Sequence, residues 1–236
     1  MITIRPSHER GIGGNGINWL DSKHTFSFAD YQDPKHKGFS HLKVINEDRV
    51  APSGGFATHP HTNMEIVSYV ISGQLQHHDS MGNGSIIKAG DIQRMSAGSG
   101  VTHSEYNVSN SEPVHFLQIW FLPKQIDIEP SYEQNFFAPK DKQGQFKLVL
   151  SEYGQGDSLS INQDINMYVV ELDNDDQTEL PLKKERVQWI QMVKGQVKVN
   201  GHDLQAGDGA AVTEETILNF KKAIGAEIIV FDMPPV

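Results

Sequence analysis

The sequence predicts an all-β protein made of two similar β domains in tandem, each a sandwich or a barrel. Three observations carry this. Short β-rich runs recur along 236 residues with little helical periodicity, and Gly (21) and Pro (11) are spread among them as turn formers. A strand–Gly–strand–turn unit also occurs twice.

In order, residues 1–45 read as irregular, with a flexible glycine loop at Gly11–Gly16. That loop formally matches a dinucleotide-binding glycine pattern, but Ser7–Arg10 before it is no apolar strand, so the nucleotide reading is set aside. Strands follow at Ile66–Ile71 and Val114–Leu122. Later ones fall at Phe146–Leu150, Met167–Leu172, Val187–Val193, Gln196–Val199 and Glu227–Phe231. Asn83-Gly84 and Asn200-Gly201 are tight-turn signals.

The repeated unit runs from Ile71-Ser72-Gly73 to Ala89-Gly90-Asp91, and again from Val193-Lys194-Gly195 to Ala206-Gly207-Asp208. The copies lie about 120 residues apart, so a boundary is expected in the turn-rich stretch Gln125–Lys142, giving domains 1–130 and 131–236.

Composition narrows the chemistry. With 37% hydrophobic and 21% charged residues the chain can form a core. A net charge of −10 disfavours direct nucleic-acid binding. There is no cysteine, so thiolate chemistry and sulfur-held metals are excluded. No signal-like run or membrane span is seen, and the expected location is cytoplasmic.

Histidine spacing supplies the functional signal. His59 and His61 are two apart, so on a strand both rings share a face, and His103 and Glu105 repeat that spacing. Two such pairs on neighbouring strands give three nitrogens and one oxygen around one point. That donor set suits Fe(II), Mn, Ni, Cu, Co or Zn, and not Ca or Mg. The repeat acts as a control. The offsets that place His59 and His61 before Gly73 give Pro181 and Lys183 before Gly195, and those that place His103 and Glu105 after Gly90 give Phe220 and Lys222 after Gly207. The second domain is therefore expected to keep the scaffold without the ligands.

Gly55–Gly73 resembles the first cupin motif, and Gly90–Asn107 the second, with two extra residues before the histidine. The runs Trp19–Ser22, His24–Ala29, His77–Gly84, Met95–Gly100 and His103–Asn107 look like a pirin, closest to bacterial pirin-like quercetin 2,3-dioxygenases. The resemblance is dense over residues 9–140 and thin beyond. It implies a bicupin, two double-stranded β-helix (jelly-roll) barrels, with the second degenerate. It also implies one iron, most simply Fe(II), held by His59, His61, His103 and Glu105.

The activity implied is cleavage of a flavonol by O2 at two open metal positions, with loss of carbon monoxide. Glu105 would serve as both ligand and catalytic base. The alternative is a non-enzymatic, iron-dependent redox regulator docking on a protein partner. A metal-dependent isomerase or sugar-binding cupin is a weaker third. Glu65, four residues beyond His61, would share the inward face of a continuous strand and is expected to orient an imidazole, with a place as metal ligand, where many cupins carry their carboxylate, as the weaker alternative. His77 and His78 are read as structural, one of them at the barrel mouth. Of His24, His36 and His41, one is expected to cover the cavity, while Trp120, Phe116 and Met64 belong to core or pocket wall.

Overall fold

The computed structural model describes residues 1–174 and 176–236. In chain order its strands begin with β1 (Ile2–Arg5), β2 (Gly11–Gly13), β3 (Leu20–His24), β4 (Leu42–Val50), β5 (Gly55–His61), β6 (Glu65–Ser72) and β7 (Gln74–Asp79). Next come β8 (Gly84–Lys88), β9 (Asp91–Ser96), β10 (Val101–Asn107), β11 (Val114–Phe121), β12 (Ser131–Phe136), β13 (Lys147–Ser151) and β14 (Leu159–Ser160). The last are β15 (Asn166–Leu172), β16 (Thr178–Pro181), β17 (Val187–Val199), β18 (His202–Gln205), β19 (Gly209–Val212) and β20 (Ile217–Met233). Among the described residues, no helix is long and apolar enough to cross a membrane.

The chain forms two compact units, interleaved in sequence. One comprises residues 11–136 and 159–163; the other comprises 1–10, 137–158 and 164–236. A cut at residue 130 does not describe them, because strand pairing rather than chain order assigns each segment. β12 pairs with β9, while β1, at the opposite end of the chain, pairs with β19. The backbone amide of Ser7 also donates to Asp208 Oδ1 at 2.7 Å.

The first unit has two antiparallel sheets, ordered β12-β9-β6-β11-β4-β3-β2 and β5-β10-β7-β8. Val50, Val70, Val114 and Phe116 from the larger sheet pack with Leu75 and Ile87 from the smaller one, so the sheets face each other across an apolar core. In the second unit the sheet runs β1-β19-β17-β20-β15-β13, around a core that includes Ile190, Phe220 and Ile228.

The expected strands are present, with three differences. β17 runs unbroken through Gly195, which bulges where two strands were expected. Asn200-Gly201 makes the expected tight turn, with φ of +43° and +91°. Asn83-Gly84 does not: the turn spans 80–83 with Gly82 at φ +91°, and Gly84 already pairs with His78. Nor is residues 1–45 an irregular segment. Gly11–Gly13 forms an edge strand on β3, which itself pairs with β4. The repeated glycines match in backbone shape, with Gly73 and Gly195 at +78° and +65°, and Gly90 and Gly207 at +93° and +84°.

Candidate metal centre

β5 and β10 lie antiparallel with His59 opposite His103 and His61 opposite Val101. Along β10 burial alternates, so Val101, His103, Glu105 and Asn107 all point inward. The ring centroids of His59, His61 and His103 are 4.5–4.8 Å apart, and their ligand atoms lie within 4.8 Å of one another. A second group within the same span joins His103 and Glu105 to His77. The four expected ligands are thus not all within 4.8 Å of one another; His103 is common to both groups.

The donor atoms are prepared for a cation. His61 Nε2 and His103 Nε2 are buried without a hydrogen-bond partner. His59 Nδ1–H donates to the Ala57 carbonyl at 2.8 Å, which leaves its Nε2 as a lone pair. Burial foremost, with neighbouring imidazoles adding, lowers His61 to about 4 and His103 to about 3. Neutral imidazoles are what a metal needs. Burial raises the Glu105 carboxyl to about 7, against hydrogen bonds from Gln118 and Ser68. Gln118 Nε2 reaches both carboxylate oxygens at 3.1 and 2.9 Å, and Ser68 Oγ donates to Oε1 at 3.2 Å. Three nitrogen lone pairs and a poised carboxylate fit a first-row transition metal.

His77 was read as structural, and its place is more specific. It is wholly buried on β7, while its neighbour His78 faces outward. His77 Nε2–H donates to Asp79 Oδ2 at 3.0 Å, and Asp79 is held by the backbone amides of Met81 and Asn83. That leaves His77 Nδ1 to accept from His103 Nδ1–H at 3.4 Å. The chain Asp79–His77–His103 therefore fixes the tautomer that turns His103 Nε2 toward the site. The signal was in the sequence: His77-X-Asp79 has same-face spacing, on a strand that pairs with the ligand strand.

Glu65 does not orient an imidazole. β5 ends at His61, and a turn with Asn63 at φ +51° intervenes before Glu65 opens β6, so the continuous strand assumed for i+4 spacing does not exist. Its Oε2 accepts from Ser96 Oγ at 2.7 Å and the Asn162 amide at 3.2 Å. His24 lies on β3, edge-on to Phe28 and Tyr31, and so backs the cavity wall.

The site opens into a cavity of about 500 Å³ walled by Trp19, Phe28, Phe56 and Trp120. Trp120 stands edge-on to both His61 (4.9 Å) and Phe28 (5.2 Å). Phe116 is core, and Met64 packs beside Ile66 and Met95. Among the described residues, both groups of three metal-competent side chains lie in this unit.

Residues 5–121 match the Pirin family model, and residues 148–233 match that of the quercetinase C-terminal cupin domain. A quercetin 2,3-dioxygenase of Escherichia coli strain K12 is 46% identical over 237 residues, covering 100% of both chains. The chain belongs to the pirin family. A pirin-like protein of Caulobacter vibrioides is 38% identical, over 98% of this chain and 99% of its own. The crystal structure of the E. coli bacterial pirin YhhW in complex with nickel(II) superposes with a TM-score of 0.94 at 45% identity, covering 100% of each chain. As in that family, the architecture is a bicupin, nearly all β. This pirin bears His and Glu side chains grouped so that they can hold a divalent metal.

Proposed function

We propose that this pirin is a dioxygenase that cleaves a flavonol-type substrate with O2 at a mononuclear site of His59, His61, His103 and Glu105. The observation that carries this is the set of inward imidazole lone pairs beside a buried carboxylate, at the foot of an aromatic-walled cavity. The E. coli relative named as a quercetin 2,3-dioxygenase supports the substrate class. Iron(II) is the proposed native metal, with nickel and the other first-row divalent ions as alternatives.

When bound, the metal supplies Lewis acidity and a centre for oxygen chemistry. The chain supplies the rest. His59, His61 and His103 present ring nitrogens, those of His61 and His103 kept neutral by burial, and the Asp79–His77 pair fixes the third. Glu105, ionised when it holds the metal, can accept the proton of a phenolic hydroxyl that displaces it from the metal. Gln118 and Ser68 keep that carboxylate aimed. Trp19, Phe28, Phe56 and Trp120 offer aromatic surface against which a planar ring would pack.

Elemental analysis of protein purified without added metal, followed by oxygen uptake with a flavonol panel, tests this. One metal per chain and flavonol-dependent O2 consumption are expected, both lost in His59→Ala. Undiminished turnover by metal-free protein would sink the reading, and metal without any O2 uptake would favour the regulatory alternative.

A further inference from the structure

Two buried polar side chains in the cavity have no part in holding a metal. Asn46 and Asp48 lie two apart on β4, so they share a face of the strand, and both line the cavity. They are 5% and 4% exposed, and each keeps one oxygen, Asn46 Oδ1 and Asp48 Oδ1, buried without a hydrogen-bond partner. A buried acceptor left unpaired costs about 1–3 kcal/mol. Two of them in one cavity mark a place where a ligand's donors are expected.

On β11 the neighbours offer no relief; on β3, Ser22 and His24 stand opposite Asp48 and Asn46, yet both Oδ1 atoms stay unpaired. Gln118, opposite Asn46 in register, already donates its amide to Glu105, and its carbonyl shares the Ser68 hydroxyl proton with Glu105. Phe116 stands opposite Asp48. The Asp48 carboxyl sits near 7, chiefly through burial, against a hydrogen bond from Ser22 and with Glu105, Glu47 and Asp21 adding to the rise. That surrounding negative charge disfavours an anionic ligand and favours a neutral hydroxyl donor. The aromatic walls select a flat ring to carry it.

We infer that Asn46 and Asp48 form a hydroxyl-recognition subsite, each accepting a hydrogen bond from a phenolic hydroxyl of a planar polyhydroxylated ligand. This rests on the flavonol reading of the site and adds to it the residues that choose among flavonols. The pair are binding residues, separate from the metal-holding set.

The test is anaerobic titration of nickel(II)-loaded protein with a flavonol and with analogues that each lack one hydroxyl. It compares wild type with Asn46→Leu and Asp48→Leu. Leucine fills similar space without an acceptor, and Asn46→Leu, which removes an unpaired buried oxygen, is expected to leave melting temperature and nickel content unchanged or improved; Asp48→Leu also strands the buried Ser22 hydroxyl, so it is expected to melt somewhat lower while keeping its nickel content. Each variant should bind the parent flavonol roughly tenfold or more weakly, and should show no further loss with the analogue missing the matching hydroxyl. Equal losses across the whole panel, no loss at all, or no binding to wild type would overturn the subsite.

Oxygen uptake, read in parallel, separates this claim from the one beneath it. Hydroxyl-dependent binding without O2 uptake keeps the subsite and removes the dioxygenase. Turnover with hydroxyl-independent affinity does the reverse.

Discussion

Metal affinity should depend on pH through Glu105, and the dependence can be isolated by comparing wild type with Glu105→Gln. Burial holds the Glu105 carboxyl near 7, whereas His61 at about 4 and His103 at about 3 are neutral throughout pH 5–8. A metal takes the ionised carboxylate, so binding must expel whatever proton is there. With a midpoint of about 7, roughly one molecule in a hundred is ionised at pH 5 and most are at pH 8. Wild-type affinity should therefore fall about 100-fold more than that of Glu105→Gln over this interval, about 2.7 kcal/mol. Any contribution common to both proteins cancels in the ratio.

In the metal-free protein the same group acts in the opposite sense. Its folded value is raised, so its contribution to stability is complete below the ordinary carboxylate value and is lost as pH rises through 7. The metal-induced rise in melting temperature should accordingly grow from pH 5 to pH 8. Competition against a chelator of known affinity, at each pH, measures the first effect, and thermal melts with and without metal measure the second. Parallel pH curves for the two proteins would refute the assignment of Glu105 as a titrating ligand.

Removing the second histidine of the relay, His77→Phe, should lower metal affinity about 10–100-fold, because His103 loses the partner that fixes its tautomer. Chelator competition reads this, and an unchanged affinity would make His77 a packing residue only. Phe116→Ala, at a fully buried position in the core between the sheets, should destabilise by about 3–5 kcal/mol in denaturant titration. Arg94, 2% exposed, donates to the Ser160 carbonyl at 2.8 Å and Ser131 Oγ at 2.7 Å, and is paired with Glu133. Because Glu133 is 38% exposed and can be resolvated, Arg94→Met should cost about 1–3 kcal/mol, chiefly through the Ser160 carbonyl and Ser131 hydroxyl left without their donor. It should also make residues 159–163 the first site of protease cleavage, and a digestion pattern identical to wild type would count against that anchoring role.

What the sequence disclosed and what it hid follow from the same rule of alternation. That His59 and His61 share a strand, and His103 and Glu105 another, was legible because a strand repeats every two residues and each pair is complete within one strand. Glu65 misled for the complementary reason: i+4 spacing means a shared face only if no turn intervenes, and the positive φ at Asn63 breaks the count. His77 needed one more piece of knowledge, that β7 lies beside β10 with His77 opposite Glu105 and Asp79 opposite His103.

Asn46 and Asp48 were harder still. In sequence they sit in Val44–Val50 among Glu47 and Arg49, where polarity reads as solvent exposure. Only the pairing of β4 with both β3 and β11 shows that this strand is interior to its sheet, and there Asn46, Glu47 and Asp48 are buried while Arg49 is exposed. A polar strand closed in on both edges has nowhere to send its side chains but the cavity or the opposite face. The unpaired oxygens of Asn46 and Asp48 show which of its residues went to the cavity. The proposed metal ligands follow from local spacing, whereas the residues that would select a ligand depend on which strands become neighbours. Selectivity among flavonols should therefore respond to substitutions on β4 that leave β5 and β10, which carry the proposed ligands, untouched.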